Sequence, residues 1–362
     1  MTTTAPASPA SDSEKGGRRR GGYALSGVAL RGVVCAVPGP PIPNSVIAQT
    51  LGDQAVADVV KMVGVETRHW AAPTQTSADL CAAAAERLLE RLGWAPDSID
   101  ALIFVTQTPD HPLPASACLL HGRLKLANDC QAFDVNLGCS GYVYGLWLAS
   151  SLIQSGCQRV LLLAGETSSR LVDPSDRGTA VLFGDAGSAS ALEHDPAASA
   201  MNFRMGTDGA GAGALMVPQG GFRPVDPDRA FTLDPTRLHM DGGEVFTFTL
   251  REVPKLVAAT LADAGITGDK VDAYLLHQAN RFMLRHIGKK IGATDTDRLP
   301  INIDRYGNTS SATIPLLLAD DMARRLTTGS AQLMLVGFGV GLSWGAVLAE
   351  FGPLACAEVI AA

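Results

Sequence analysis

A cysteine at position 139 sits in the run Leu137-Gly138-Cys139-Ser140-Gly141, between an apolar segment that includes Phe133-Asp-Val-Asn and a strongly apolar stretch from Tyr142 onward. That order reads as strand, tight turn, helix, which presents a nucleophile where exposed N–H groups and the positive end of the helix dipole favour thiolate. Gly138 and Gly141 would permit a sharp turn and close approach of a substrate. The same five residues also describe a small buried cysteine capping a helix, and the motif alone does not choose between the two.

Two further residues bear on that choice. His277 ends the apolar run Tyr274-Leu-Leu and opens His-Gln-Ala-Asn, which leads into a helix. Asn308 lies in Tyr306-Gly-Asn-Thr-Ser-Ser, ahead of Ile314-Pro315. Separately, a histidine at a strand end is often structural and an asparagine after a glycine is often a turn or a helix cap. Together they match what a sulfur nucleophile needs, a neighbour for its proton and donors for the carbonyl under attack. An imidazole and an amide that both donate to a thioester oxygen would stabilise an enolate as carbon dioxide leaves. No carboxylate base lies in these motifs, which suits decarboxylation because no proton must be abstracted. Gly337-Phe-Gly-Val-Gly-Leu-Ser-Trp-Gly345 reads as a glycine-rich turn between strands, able to offer backbone N–H groups to an oxyanion. It opens no helix, so it is not a phosphate loop.

The elements that carry these residues occur twice. A helical run over 78–92 leads through a Gly-containing turn to the apolar strand 100–107, and a second run over 244–264 leads the same way to 272–278. The segment 133–139 pairs with 301–308, which sets Cys139 against Asn308. Each is followed by a helical stretch, 142–155 and 314–326, and then by a third strand, 159–164 and 332–337, at nearly constant offset. Continuous apolar strands between helices predict sheets covered on both faces, so the fold class is layered α/β in two duplicated halves. The helix after Cys139 is apolar around most of its circumference and belongs at the centre. Ligand sites in such sheets lie beyond the carboxyl ends of the strands, where all three residues are expected to fall.

Bulk composition excludes several classes. With 362 residues, 46% hydrophobic and 18% charged, the chain can bury a large core. Its net charge of −7 argues against a nucleic-acid partner. Seven cysteines show neither a CxxC pair nor metal-ligand spacing, so no metal site is expected and a reducing, cytoplasmic setting is the simple reading. No apolar stretch is long enough for a membrane span. Residues 1–22 read as a disordered Ser/Gly/Pro-rich tail without the apolar core of a secretion signal. The halves are then 23–200, carrying Cys139, and 201–362, carrying His277 and Asn308. Arg281, Arg285 and Lys289 recur every four residues opposite Leu284, Ile287 and Ile291, a basic stripe on an amphipathic helix suited to an acidic partner.

At Phe133–Gly141, Asp173–Gly187, His277–Asn280, Tyr306–Pro315 and Phe338–Gly345 the sequence resembles the beta-ketoacyl-acyl-carrier-protein synthase III family. The resemblance implies a thiolase-like fold in five αβαβα layers and a homodimer. It assigns Cys139 as the acylated nucleophile, with His277 and Asn308 stabilising decarboxylation of a malonyl-carrier thioester. It places the backbone N–H groups of Cys139 and Val340 in an oxyanion hole, Phe338 beside the thiol, and Arg177 and Asn280 along the pantetheine approach. No tightly bound cofactor is implied; coenzyme A or acyl-carrier-protein thioesters are substrates. Members usually clamp the coenzyme A adenine with a Trp and an Arg, where this chain has Asp58 and Met62. At the acyl-tunnel gate offered to the partner subunit it has Leu113 before Pro114, where many members have Phe. The rival reading is an acyltransferase of the same fold that passes the acyl group to an oxygen or nitrogen nucleophile.

Overall fold

The computed structural model describes residues 22–228 and 231–362. The tail expected over 1–22 lies outside them apart from Gly22, which opens the strand Gly22–Leu25.

Two sheets carry the molecule. The first runs in the order Cys356–Ala361, Val28–Val37, Ala186–His194, Arg159–Glu166, Ala101–Val105, Gln131–Val135. The second runs Gly22–Leu25, Met201–Thr207, Ser343–Phe351, Ala331–Gly339, Ala273–Leu276. From Val28–Val37 in one and Met201–Thr207 in the other the pairing repeats as antiparallel, antiparallel, parallel. The boundary at 200/201 falls between two strands. The sheets nevertheless exchange edges: Gly22–Leu25 pairs with Met201–Thr207, and Cys356–Ala361 pairs with Val28–Val37. Each terminal strand therefore stitches one half to the other.

Helices make the remaining three layers. Ser77–Leu92, capped by Thr76 and Asp79, covers the outer face of the first sheet. Gly242–Ala264 and Arg281–Ile291 cover the second. Between the sheets lie Gly141–Gln154 and the helical segment that starts at Thr313, with the inner strand faces packed on both. The five-layer αβαβα order follows from the sequence: strands such as Ala101–Val105 and Arg159–Glu166 are apolar on both faces and need cover on both. Gly141–Gln154 buries Tyr142, Val143, Leu146, Ala149 and Ile153, as a helix in a central layer must.

One repeat of the duplication departs from expectation. Segment 301–308, read as the counterpart of the strand before Cys139, forms no strand. Ile303–Tyr306 is a single helical turn, so the second sheet ends at Ala273–Leu276. Polar anchors replace the missing ladder. The Asn302 N–H donates to Gln278 Oε1 at 3.1 Å, Asn302 Nδ2 to Asp321 at 2.8 Å, and Tyr306 Oη to Asp320 at 2.6 Å. Arg305 pairs with both aspartates. The following helix is also irregular, passing from Thr313–Leu316 through a π-type turn, Leu317–Asp321, to Ala323–Thr328. That bulge is where Asp320 and Asp321 meet Arg305.

The loop after Ile303–Tyr306 is clamped from the first half. Asn308 N–H donates to Leu182 O at 2.8 Å and Gly184 N–H to Asn308 O at 3.1 Å. A Cβ on Gly184 would lie 2.2 Å from Tyr306 O, so this approach requires glycine. Gly184→Ala is therefore predicted to destabilise the fold by about 1–3 kcal/mol through overpacking against backbone. A denaturant midpoint equal to that of the unsubstituted chain would refute the clamp.

Candidate active site

Cys139 follows the strand Gln131–Val135, directly before the helix Gly141–Gln154, and is buried. Neither Gly138 nor Gly141 adopts a left-handed φ. What demands glycine there is space: a Cβ on Gly138 would lie 2.3 Å from Gln107 Oε1, and one on Gly141 2.4 Å from Val105. The hairpin between Ala331–Gly339 and Ser343–Phe351 comes down onto the sulfur. A Cβ at Gly339, whose φ is +157°, would lie 2.8 Å from Cys139 Sγ. The backbone N–H groups of Val340 and of Cys139 itself act on the thiol, each favouring its charged form.

His277 follows the strand Ala273–Leu276, its N–H bonded to Val336 O at 2.8 Å. The ring is buried edge-on to Phe338, with centroids 5.5 Å apart. Its Nδ1 lies 2.8 Å from Thr313 Oγ1, and the Thr313 hydroxyl donates to Ser310 O at 2.9 Å. Because that hydroxyl spends its only proton on the carbonyl, Nδ1 must carry the imidazole proton and donate. Nε2 is then a lone pair. In that tautomer Nε2 can take up a proton, and once protonated it can donate to a substrate oxygen.

Asn308 is buried and its Oδ1 accepts the Ser310 N–H at 2.9 Å, which leaves the amide NH2 as its donor. Ser310 also touches the nucleophile, its Oγ standing 3.8 Å from Cys139 Sγ. One residue thus contacts Cys139, Asn308 and the Thr313 that orients His277.

Electrostatics depart from the sequence reading. Burial pushes the Cys139 thiol up to about 11, against the lowering effects of the Ser310 hydroxyl and the Val340 N–H. Desolvation thus opposes the thiolate that the helix end was expected to favour. Burial likewise holds His277 down to about 3, with a backbone contact to Ser310 opposing it. Nor is the site free of carboxylates. Glu166, at the end of the strand Arg159–Glu166, is fully enclosed and raised by burial to about 8. It accepts from Gln107 N–H, Thr106, Thr108 and Ser311, and its charge raises the Cys139 thiol further.

The outer residues divide. Phe338 is buried against His277. Asn280 caps the helix Arg281–Ile291, its Oδ1 accepting Met283 N–H at 2.7 Å. Arg177 is exposed and close enough to Asp58 to act on it; that carboxyl is held low first by Gln54 at 3.0 Å and Lys61 at 3.2 Å, then by Arg177. Met62 is exposed, and Leu113 is 76% exposed. Arg285 and Lys289 are exposed, whereas Arg281 packs against Gly64, where a Cβ would lie 2.5 Å from its Nε. Sequence reasoning missed Ser310, Thr313, Glu166 and Gln107. A polar Thr-Ser-Ser run after Asn308 was visible, but not which hydroxyl meets the sulfur.

Comparison with known proteins decides the family. The description "3-Oxoacyl-[acyl-carrier-protein (ACP)] synthase III" matches residues 133–209, and its C-terminal counterpart matches residues 261–351. A beta-ketoacyl-[acyl-carrier-protein] synthase III of Desulfitobacterium hafniense is 38% identical over 300 residues, spanning 81% of this chain and 88% of that protein. The chain belongs to the beta-ketoacyl-acyl-carrier-protein synthase III family. Its members are condensing enzymes of fatty-acid biosynthesis with the thiolase fold. A 3-oxoacyl-(acyl-carrier protein) synthase structure from Burkholderia xenovorans LB400 is 48% identical with a TM-score of 0.92, covering 94% of this chain and 99% of that one. The priming β-ketosynthase of the R1128 polyketide pathway shares the fold at 25% identity and a TM-score of 0.79, covering 91% and 97% of the two chains. Among the described residues no helix is long and apolar enough to cross a membrane, and no cluster of His, Cys, Asp and Glu could hold a metal ion.

Proposed function

We propose that the chain transfers an acyl group from a thioester to Cys139 and then condenses it with a malonyl-carrier-protein thioester, releasing carbon dioxide. The observation that carries this reading is the meeting of Cys139, Asn308 and the His277–Thr313 pair on Ser310, with the Val340 and Cys139 N–H groups against the sulfur.

Burial penalises a lone thiolate and a lone imidazolium alike. Passing the thiol proton to His277 Nε2 creates both charges together, and each offsets the other's desolvation. The sulfur attacks the donor carbonyl while the N–H groups of Cys139 and Val340 hold its oxygen. The donor's C–S bond breaks and its thiolate leaves with the proton. In the second half His277 takes a proton from the medium at Nε2, the malonyl thioester loses carbon dioxide, and the enolate oxygen is held by the Asn308 NH2 and the His277 Nε2–H. The enolate carbon attacks the acyl group, the Cys139 C–S bond breaks, and the sulfur takes that proton. No tightly bound cofactor enters; coenzyme A or carrier-protein thioesters are substrates. Transfer to an oxygen or nitrogen nucleophile is not favoured, since the curated relatives and structural neighbours named above are synthases.

The carrier partner is read at Arg285 and Lys289, which line a surface cleft with Arg281, Phe282 and His286. Homodimer assembly is supported by the free edge of Gln131–Val135, immediately before Cys139, and by exposed Leu113. Phe338, Asn280 and Arg177 remain the proposed substrate contacts, the last two at the approach. Seven free cysteines fit a cytoplasmic setting.

Intact-mass measurement after incubation with acyl-coenzyme A and acyl-carrier thioesters is expected to show one acyl group per chain, absent in Cys139→Ala. His277→Ala should lose about 10²-fold or more in malonyl decarboxylation; normal carbon dioxide release from that variant would contradict the role given to the imidazole. For docking, Arg285→Glu with Lys289→Glu should weaken binding of an acidic carrier about tenfold or more at low salt, with the gap closing as salt rises. Equal affinities at low salt would remove this face from the docking surface.

A further inference from the structure

We propose that Ser310 is a further catalytic residue, whose hydroxyl donates a hydrogen bond to the Cys139 sulfur whenever that sulfur carries negative charge.

Its backbone is pinned at both ends. The Ser310 N–H goes to Asn308 Oδ1 at 2.9 Å, and its carbonyl takes the Thr313 hydroxyl at 2.9 Å. Between those bonds the residue sits at φ +51°, a left-handed conformation uncommon for any residue but glycine. The side chain is thereby turned to the nucleophile, with Oγ 3.8 Å from Cys139 Sγ and within 3.0 Å of where a Gly138 Cβ would stand. Both residues are buried, which limits competition from water for the sulfur.

The chemistry explains why a third donor is required. Sulfur is negative twice, as the attacking nucleophile and as the leaving group of condensation. At both moments the Val340 and Cys139 N–H groups are engaged by the oxygen of the tetrahedral intermediate. Ser310 is not diverted and stays on the sulfur. In acylation the Sγ–H bond breaks, Sγ–C forms and the donor's S–C breaks, the proton passing by His277 to the departing thiol. In condensation the C–C bond forms, Sγ–C breaks, and the sulfur ends with the proton that His277 took from the medium. Ser310 keeps its own proton throughout.

The inference rests on Cys139 being the nucleophile, as proposed above, but its test needs no acyl substrate. The full chain is alkylated with iodoacetamide between about pH 6 and 9, and the mass of the Cys139 peptide is followed. Ser310→Ala and Ser310→Gly should each react about tenfold more slowly than the unsubstituted chain, the loss expected for one hydrogen bond to a charged group. Ser310→Thr, which restores the hydroxyl at the cost of a β-branch at positive φ, should react faster than either. If backbone strain alone mattered the order would invert, with Gly fastest and Thr slowest. That order, or a glycine variant as reactive as the unsubstituted chain, overturns the proposal. Failure of Cys139 to acquire acyl groups from any thioester, with the alkylation order intact, would instead count against the condensation reading alone.

Discussion

A thiol and an imidazole are buried from solvent, and the rest of the molecule follows from that burial. In water a cysteine near a histidine would exchange its proton freely. Here burial carries the thiol up to about 11 and the imidazole down to about 3. Neither charge is stable alone, so the site rests uncharged and pays for reactivity only when both charges appear together. Two backbone N–H groups and one hydroxyl act on the sulfur, and each becomes useful at that moment. Glu166 works in the opposite sense whenever it ionises, its carboxylate then disfavouring thiolate, and four donors surround it.

Such a pocket needs walls from both halves. The first half supplies Cys139, Gln107 and Glu166; the second supplies His277, Asn308, Ser310 and the hairpin at Val340. Exchanged edge strands join the halves at their margins, while the Leu182–Gly184 clamp on Asn308 joins them at the site. The second half's departure from strict repetition has a purpose in this light. A sixth strand in the second sheet at 301–308 would have fixed Asn308 in a ladder; a helical turn tied by Arg305 and Tyr306 to the π-type bulge lets the loop reach across instead.

Much of this was legible in the residues. Repeated apolar segments at near-constant offset announced two halves, and the circumference of apolar side chains on 142–155 announced a central helix. Cys139, His277 and Asn308 were visible because reactive side chains sat at element ends. What could not be read were relations across the fold. Desolvation of Cys139 depends on packing from Gly339 and Ser310, far away in sequence. The tautomer of His277 depends on where Thr313 spends one proton. Segment 301–308 alternates apolar and polar residues as a strand would, but its polar members found side-chain partners that outweighed a ladder. The stripe at 281, 285 and 289 kept helical spacing, yet Gly64 packs closely against the Arg281 side chain and leaves it half-buried.

The central claim, an uncharged resting pair with Nδ1–H on His277, is open to direct observation. Nitrogen-15 NMR of the histidine-labelled chain, assigned by comparison with His277→Ala, reports the protonation of each ring nitrogen between about pH 6 and 9. The account predicts a neutral ring with Nδ1 protonated and Nε2 bare across that range. An imidazolium that disappears in Cys139→Ala would reveal a resting thiolate–imidazolium pair and contradict it.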